Sequence, residues 1–193
     1  MPLDKYPFSE KYGWVADKFG LSWQLNLASF AQKITACLMF VGEQNGKAEE
    51  AMNFYVSLFK NSSIDSVERY VAGERNVEGA VKHGEFSLSG QRFIAMDGGN
   101  DHPFTFTEAQ SLLVDCKTQE EVDEFWKKLS EGGQESQCAW LKDKYGLSWQ
   151  IVPTVLIEML QDKDPEKAKR VMEAMLQMTK IDIATLKQAY EGQ

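Results

Sequence analysis

The sequence predicts an α+β fold: two βαβββ halves set side by side as a cupped, eight-stranded mixed sheet with helices outside. Three observations predict it. Strand-like and helix-like periodicity alternates as β-α-β-β-β and then as β-α-β-β, with room for one weak further strand. Each half has one helix and too few strands to close a core alone. Beyond residue 154 the pattern turns helical throughout, an extension added to the paired halves.

The elements follow in order. ITACLMFVG (34–42) is short and apolar on both faces, as a buried strand is. GKAEEAMNFYVSLFKN follows, with Met52, Tyr55, Leu58 and Phe59 at helical spacing and Glu49 and Glu50 at the end where the helix dipole favours acids. SSIDSVERYV is a β-branched strand, and VAGERNVEG is a loop. AVKHGEFSLSG and QRFIAMDGG form a hairpin turning at Ser89 and Gly90. After the connector NDHPFTFT, EAQSLLVDC is the first strand of the second half. In TQEEVDEFWKKLSEGG, Thr118 caps a helix and Glu121 completes a capping box. Val122, Phe125, Trp126 and Leu129 form its buried stripe, and Gly132 and Gly133 end it. SQCAWLKD and GLSWQIVP close the half as a hairpin around residues 144–146. In the tail, Asp164 caps a helix with Pro165 at its first position, and Asp182 caps a last helix carrying Ile183, Leu186 and Tyr190. The methionines of the tail (Met172, Met175, Met178) fit core packing, or else a peptide groove.

A repeat cuts across this order. The stretch GLSWQ occurs at 20–24 and again at 146–150. WVADKFGLSWQL (14–25) lies over WLKDKYGLSWQI (140–151) with eight identities in twelve positions. The copies are 126 residues apart, far beyond the period of a solenoid repeat. Asp17 and Asp143 fall in the shared DK(F/Y)G, a pattern suited to hairpin turns.

Composition narrows the function. At 193 residues the chain can bury a sizeable core. A net charge of −8 without a basic run argues against a nucleic-acid partner. No apolar stretch reaches the ~20 residues of a membrane-spanning helix, so no membrane partner is expected. MPLDKYPFSEKYGW lacks the basic and apolar regions of a signal peptide. Cys37, Cys116 and Cys138 are odd in number and widely spaced, which fits reduced core thiols and a cytoplasmic protein.

Several segments, in order, carry a resemblance: AEEAMNFYVSLFKNSSI, FTEAQSLLVDCKTQEEVDEFWKKLSEGG, WLKDKYGLSWQIVPTVL and PEKAKRVMEAMLQMTKIDIATL. Over residues 31 to about 190 the chain resembles the PhnB-like family. That family belongs to the vicinal-oxygen-chelate superfamily, which includes glyoxalase I, extradiol dioxygenases and bleomycin and fosfomycin resistance proteins. The resemblance implies the paired βαβββ fold. It also implies that GLSWQ ends a domain, so residues 1–28 resemble the terminal hairpin of a preceding domain. The expected organisation is that orphan hairpin, a linker at 29–33, a domain at 34–154 and a helical extension at 155–193. An orphan hairpin wants cover, which points to a partner chain, a swapped hairpin and a homodimer.

Metal-using members of the superfamily place ligands at four inward positions. The resemblance maps these onto Thr35, Ala36 or Cys37; Ile94, Ala95 or Met96; Ala109 or Gln110; and Gln150. One amide does not hold a metal, so no metal and no cofactor is expected. Members also carry the label 3-demethylubiquinone-9 3-methyltransferase. Gly98 and Gly99 lead into NDHP and not into a helix, so they form no adenosylmethionine-type turn. His102, beside Asp101 and near Asp97, fits a solvated loop better than an acid–base cluster, and His83 fits an exposed strand position.

Alternation places Leu147, Trp149 and Ile151 under the helices and Ser148 and Gln150 on the cup side. The expected ligand pocket is Leu38, Phe40, Met96, Gln110, Trp140, Ser148 and Gln150, with no catalytic residue. The leading expectation is a metal-free small-molecule binder rather than an enzyme. A metal-dependent lyase or dioxygenase and an assembly role through the swapped hairpin are the alternatives.

Overall fold

The computed structural model describes residues 1–6, 9–27 and 31–193. The chain divides into two units, Met1–Thr35 and Ala36–Gln193. Residue 28, where the hairpin is expected to end, and residues 29 and 30 of the expected linker lie outside the described residues.

The first unit is a three-stranded antiparallel sheet of β1 (Asp4–Tyr6), β2 (Ser9–Ala16) and β3 (Ser22–Asn26), in the order β1-β2-β3. β2 and β3 are the expected hairpin. β1 is an addition that the sequence reading lacks. The first strands are pinned at their ends: Trp14 N–H donates to the Met1 carbonyl at 2.9 Å.

The second unit holds two modules of identical topology. The first contains β4 (Ala36–Val41), α1 (Ala48–Leu58), β5 (Ser63–Arg69), β6 (Val81–Leu88) and β7 (Gln91–Gly99). The second contains β8 (Ser111–Cys116), α2 (Gln119–Ser130), β9 (Gln134–Glu135), β10 (Trp140–Lys142) and β11 (Ser148–Pro153). Both sheets run first-fourth-third-second, as β4-β7-β6-β5 and β8-β11-β10-β9. In each, the first and fourth strands pair in parallel and the rest are antiparallel. The weak strand of the second half is β9, two residues long. The eight strands are thus hydrogen-bonded as two four-stranded sheets.

The helices join these sheets. α1 buries Ala48, Ala51, Met52 and Tyr55, and α2 buries Val122, Trp126 and Leu129. These residues form one core with Leu38, Phe40, Phe86 and Ala95 of the first sheet and Val114, Leu141, Trp149 and Ile151 of the second. Phe59 stacks on Phe125 at 4.9 Å and on Trp149 at 5.9 Å, bridging the modules. Each sheet therefore turns its helix side inward, and its other face points away from the shared core.

The helix ends follow their capping residues. Thr118 Oγ1 accepts from Glu121 N–H, and the Glu121 carboxylate accepts from Lys117 N–H, one residue ahead of the cap. Buried Asp97 on β7 accepts from Gly46 and Ala48 N–H at the start of α1 and from Val81 N–H. This position removes it from any cluster with His102.

The tail forms α3 (Thr154–Leu160), α4 (Pro165–Met175) and α5 (Ile183–Glu191). Asp164 and Asp182 cap α4 and α5. A second core of Val152, Leu156, Met159, Val171, Ile181 and Leu186 docks this bundle on the end of β11. Met175 and Met178 pack against it, whereas Met172 stays exposed, so most of the methionine stripe is core packing. Among the described residues, no helix is long and apolar enough to cross a membrane.

Candidate functional site

The β10–β11 hairpin builds both the core and the candidate site, one on each face. Its turn is fixed by Asp143. Asp143 Oδ1 accepts from Tyr145 N–H at 2.9 Å and Leu147 N–H at 3.1 Å. Oδ2 accepts from Trp149 Nε1 at 2.9 Å and from the Tyr55 hydroxyl on α1 at 2.7 Å. Gly146 sits at φ +86, a backbone region that glycine enters without strain. Burial pushes the Asp143 carboxyl above its ordinary range, against four hydrogen bonds that pull it down. Burial and the facing carboxylate push the Tyr55 phenol up. Gly133 completes the turn from outside, since a Cβ there would meet the Lys142 carbonyl oxygen at 2.1 Å.

On the other face, the register sets Trp140 opposite Gln150, Lys142 opposite Ser148, and Ser148 opposite Ser111. A recess of about 280 Å³ opens here, lined by Glu108, Gln134, Trp140, Lys142, Ser148 and their neighbours. That is just below the roughly 300–1,000 Å³ of typical small-molecule sites. Lys142 Nζ lies 2.5 Å from a Glu108 carboxylate oxygen, and this contact holds the Glu108 carboxyl below its ordinary range. Gln150 Nε2 donates to Ser111 Oγ at 2.8 Å. Ser148 is 0% exposed, and its Oγ has no hydrogen-bond partner among the described residues.

The sequence-predicted pocket residues separate on this geometry. Trp140, Ser148 and Gln150 share the outer face of the second sheet. Met96 lies on the outer face of the first sheet, paired in register with Met39. Gln110 is exposed just ahead of β8. Leu38 and Phe40 are 1% and 0% exposed and pack under α1 in the shared core. β4 is apolar on both sides, so its sequence does not say which face turns inward. Lys142, Glu108 and Gln134 were missed. Lys142 was findable, since it lies two residues from Trp140 on the same strand face.

The mapped ligand positions do not meet within one chain. Cys37 and Met96 lie on the first sheet and Gln150 on the second, and no three His, Cys, Asp or Glu side chains form a metal-binding group among the described residues. Nor do Gly98 and Gly99 cradle a cofactor. They end β7, and a Cβ on Gly98 would meet Val41 and Met39 side chains. Burial and nearby acids push the Cys116 thiol up to about 12, so it is no nucleophile.

The family model described as 3-demethylubiquinone-9 3-methyltransferase matches residues 32–152. The chain belongs to this PhnB-like family. Among solved structures, the PhnB protein of Bacillus cereus is 46% identical, with a TM-score of 0.59, over 64% of this chain and all of its own. A protein from Staphylococcus aureus is 31% identical, with a TM-score of 0.30, over 63% of this chain and 96% of its own. A protein from Pseudomonas aeruginosa, 14% identical with a TM-score of 0.50 over 63% of this chain and 98% of its own, shares the fold. The search of curated proteins finds no match. The PhnB-like match begins at residue 32 and so leaves the N-terminal sheet outside it.

Proposed function

We propose that this PhnB-like chain binds a small molecule on the outer face of the second sheet, without metal chemistry. The observation that carries this reading is Ser148. A hydroxyl buried without a partner costs free energy on the order of 1–3 kcal/mol, which a ligand acceptor or donor in the recess would recover. Trp140 supplies a flat apolar wall. Lys142, held by Glu108, supplies a cation that a ligand carboxylate or enolate can take over. Gln134 and Gln150 add amides. The matching ligand is a planar organic acid of modest size.

A homodimer belongs to the same reading. Each sheet's outer face points away from the core, so one chain does not close a cup over its own recess. A second copy could lay the first sheet's outer face, with Cys37, Met39 and Met96, over Trp140 and Ser148.

Native mass spectrometry of the purified chain tests both parts. A retained small molecule on a dimer is expected, lost from Ser148→Ala and Lys142→Met while the dimer mass persists. Retention of the same molecule by both variants would contradict the assignment. A stoichiometric transition metal in elemental analysis would replace this reading with the lyase or dioxygenase one.

A further inference from the structure

The N-terminal sheet repeats the turn of the core hairpin bond for bond. Asp17 Oδ1 accepts from Phe19 N–H at 2.9 Å and Leu21 N–H at 3.0 Å, and Oδ2 accepts from Trp23 Nε1 at 3.0 Å. Gly20 sits at φ +87, as Gly146 does at +86. Lys18 lies 4.9 Å over the Phe19 ring, as Lys144 lies 5.0 Å over Tyr145. What differs is the cover. In the core copy, Tyr145, Leu147 and Trp149 are 3%, 1% and 1% exposed. Their counterparts Phe19, Leu21 and Trp23 are 82%, 54% and 37% exposed. Val15, opposite Trp23 in register, and Leu25 are exposed on the same face.

The core copy shows what covers such a face. α2 packs along β10 and β11, and α1 with its C-cap residue Phe59 closes the turn end, through the Tyr55 hydroxyl on Asp143, Phe59 stacked on Trp149, and Glu50 paired with Lys144 at 2.9 Å. We propose that Val15, Leu21, Trp23 and Leu25, with Asp17 and Lys18 at the rim, form a docking surface for an amphipathic helix of another protein. The helix has α1 chemistry: an acid in its first turn, a tyrosine five residues on and an aromatic ring four beyond that. The acid meets Lys18, the tyrosine hydroxyl donates to the second oxygen of Asp17, and the ring covers Trp23. The chain's own α1 is already committed, with Tyr55 0% exposed and its hydroxyl on Asp143. The α1 of a second copy would be equally committed, so the occupant is a different chain. This surface is independent of the recess around Ser148.

A fluorescein-labelled peptide of residues 47–60, stapled through positions 53 and 57 on its exposed side, is the probe. Titrated against the full chain and read by anisotropy, it should bind saturably. Asp17→Asn in the chain should weaken binding about tenfold, as loss of a charge-assisted hydrogen bond does. Tyr55→Phe in the peptide should weaken it by the same factor and leave the chain's fold untouched. The two changes together should cost no more than either alone. Absence of saturable binding, or additive losses, would overturn the proposal. So would a wild-type dimer that refuses the peptide and that Trp23→Ser makes monomeric, since a second copy would then own the face.

Discussion

The two hairpins of this chain share a turn, eight of twelve residues and a set of hydrogen bonds that agree to within a few tenths of an ångström. One lies in the core and the other is open. The difference teaches that local sequence fixes the turn, whereas burial decides what the turn contributes. Asp17 shows this most plainly. Its bond from Trp23, with the backbone donors behind it, holds the carboxyl below the ordinary range. The same bonds do not suffice at Asp143, where desolvation prevails and the carboxyl rises.

Removing the two carboxylates breaks the comparison most strongly. Asp143→Ala should destabilise the chain by roughly 3–5 kcal/mol, because it strands Tyr55 and Trp149 donors in the core. Asp17→Ala, in the open copy, should change global stability by less than about 1 kcal/mol. Chemical denaturation of both variants checks this, and equal losses would mean the N-terminal hairpin is covered. The indoles come next. Trp149→Ala should cost on the order of 3–5 kcal/mol by cavity formation, and Trp23→Ala a small fraction of that. The turn glycines should behave alike despite the burial difference. Gly20→Ala and Gly146→Ala each force a left-handed backbone, at about 1–2 kcal/mol to the local hairpin, read by hydrogen exchange of its amides.

The smallest effect is in pH, and its sign differs between copies. Asp143, with a raised folded pKa, contributes stability that is present below its unfolded pKa near 3.8 and lost as pH rises through the folded value. Asp17, with a lowered folded pKa, contributes above 3.8 and loses that contribution as pH falls through its folded value. Carboxyl carbon titration by NMR should place the two residues on opposite sides of 3.8.

Much of the fold was legible because its signals are local. Thr118, Asp164 and Asp182 announce their helices by capping chemistry that needs only a few neighbouring residues. The repeated order of elements announced the paired modules, although not the division into two four-stranded sheets, and four separate sequence segments carried the PhnB-like resemblance. Legibility failed where the partner is remote. Asp143 reads as a turn residue, and nothing near it in sequence tells of Tyr55, 88 residues away. The candidate site shows the same boundary. Alternation in GLSWQIV put Ser148 and Gln150 on the face opposite Trp149, where the register places them. In ITACLMFV there is no alternation to choose a face, and the structure turns Leu38 and Phe40 to the helix side. The missing partner of Ser148 is a property of the assembled recess and has no signature in the sequence.

Hydrogen–deuterium exchange of the Trp23 and Trp149 indole N–H groups in the free chain tests the central claim most directly. Both donate to an aspartate at about 3 Å, so local bonding alone would protect them equally. The covered-and-open account predicts that Trp149 exchanges only with unfolding of the core, while Trp23 exchanges orders of magnitude faster. Equal, strong protection of both would contradict it.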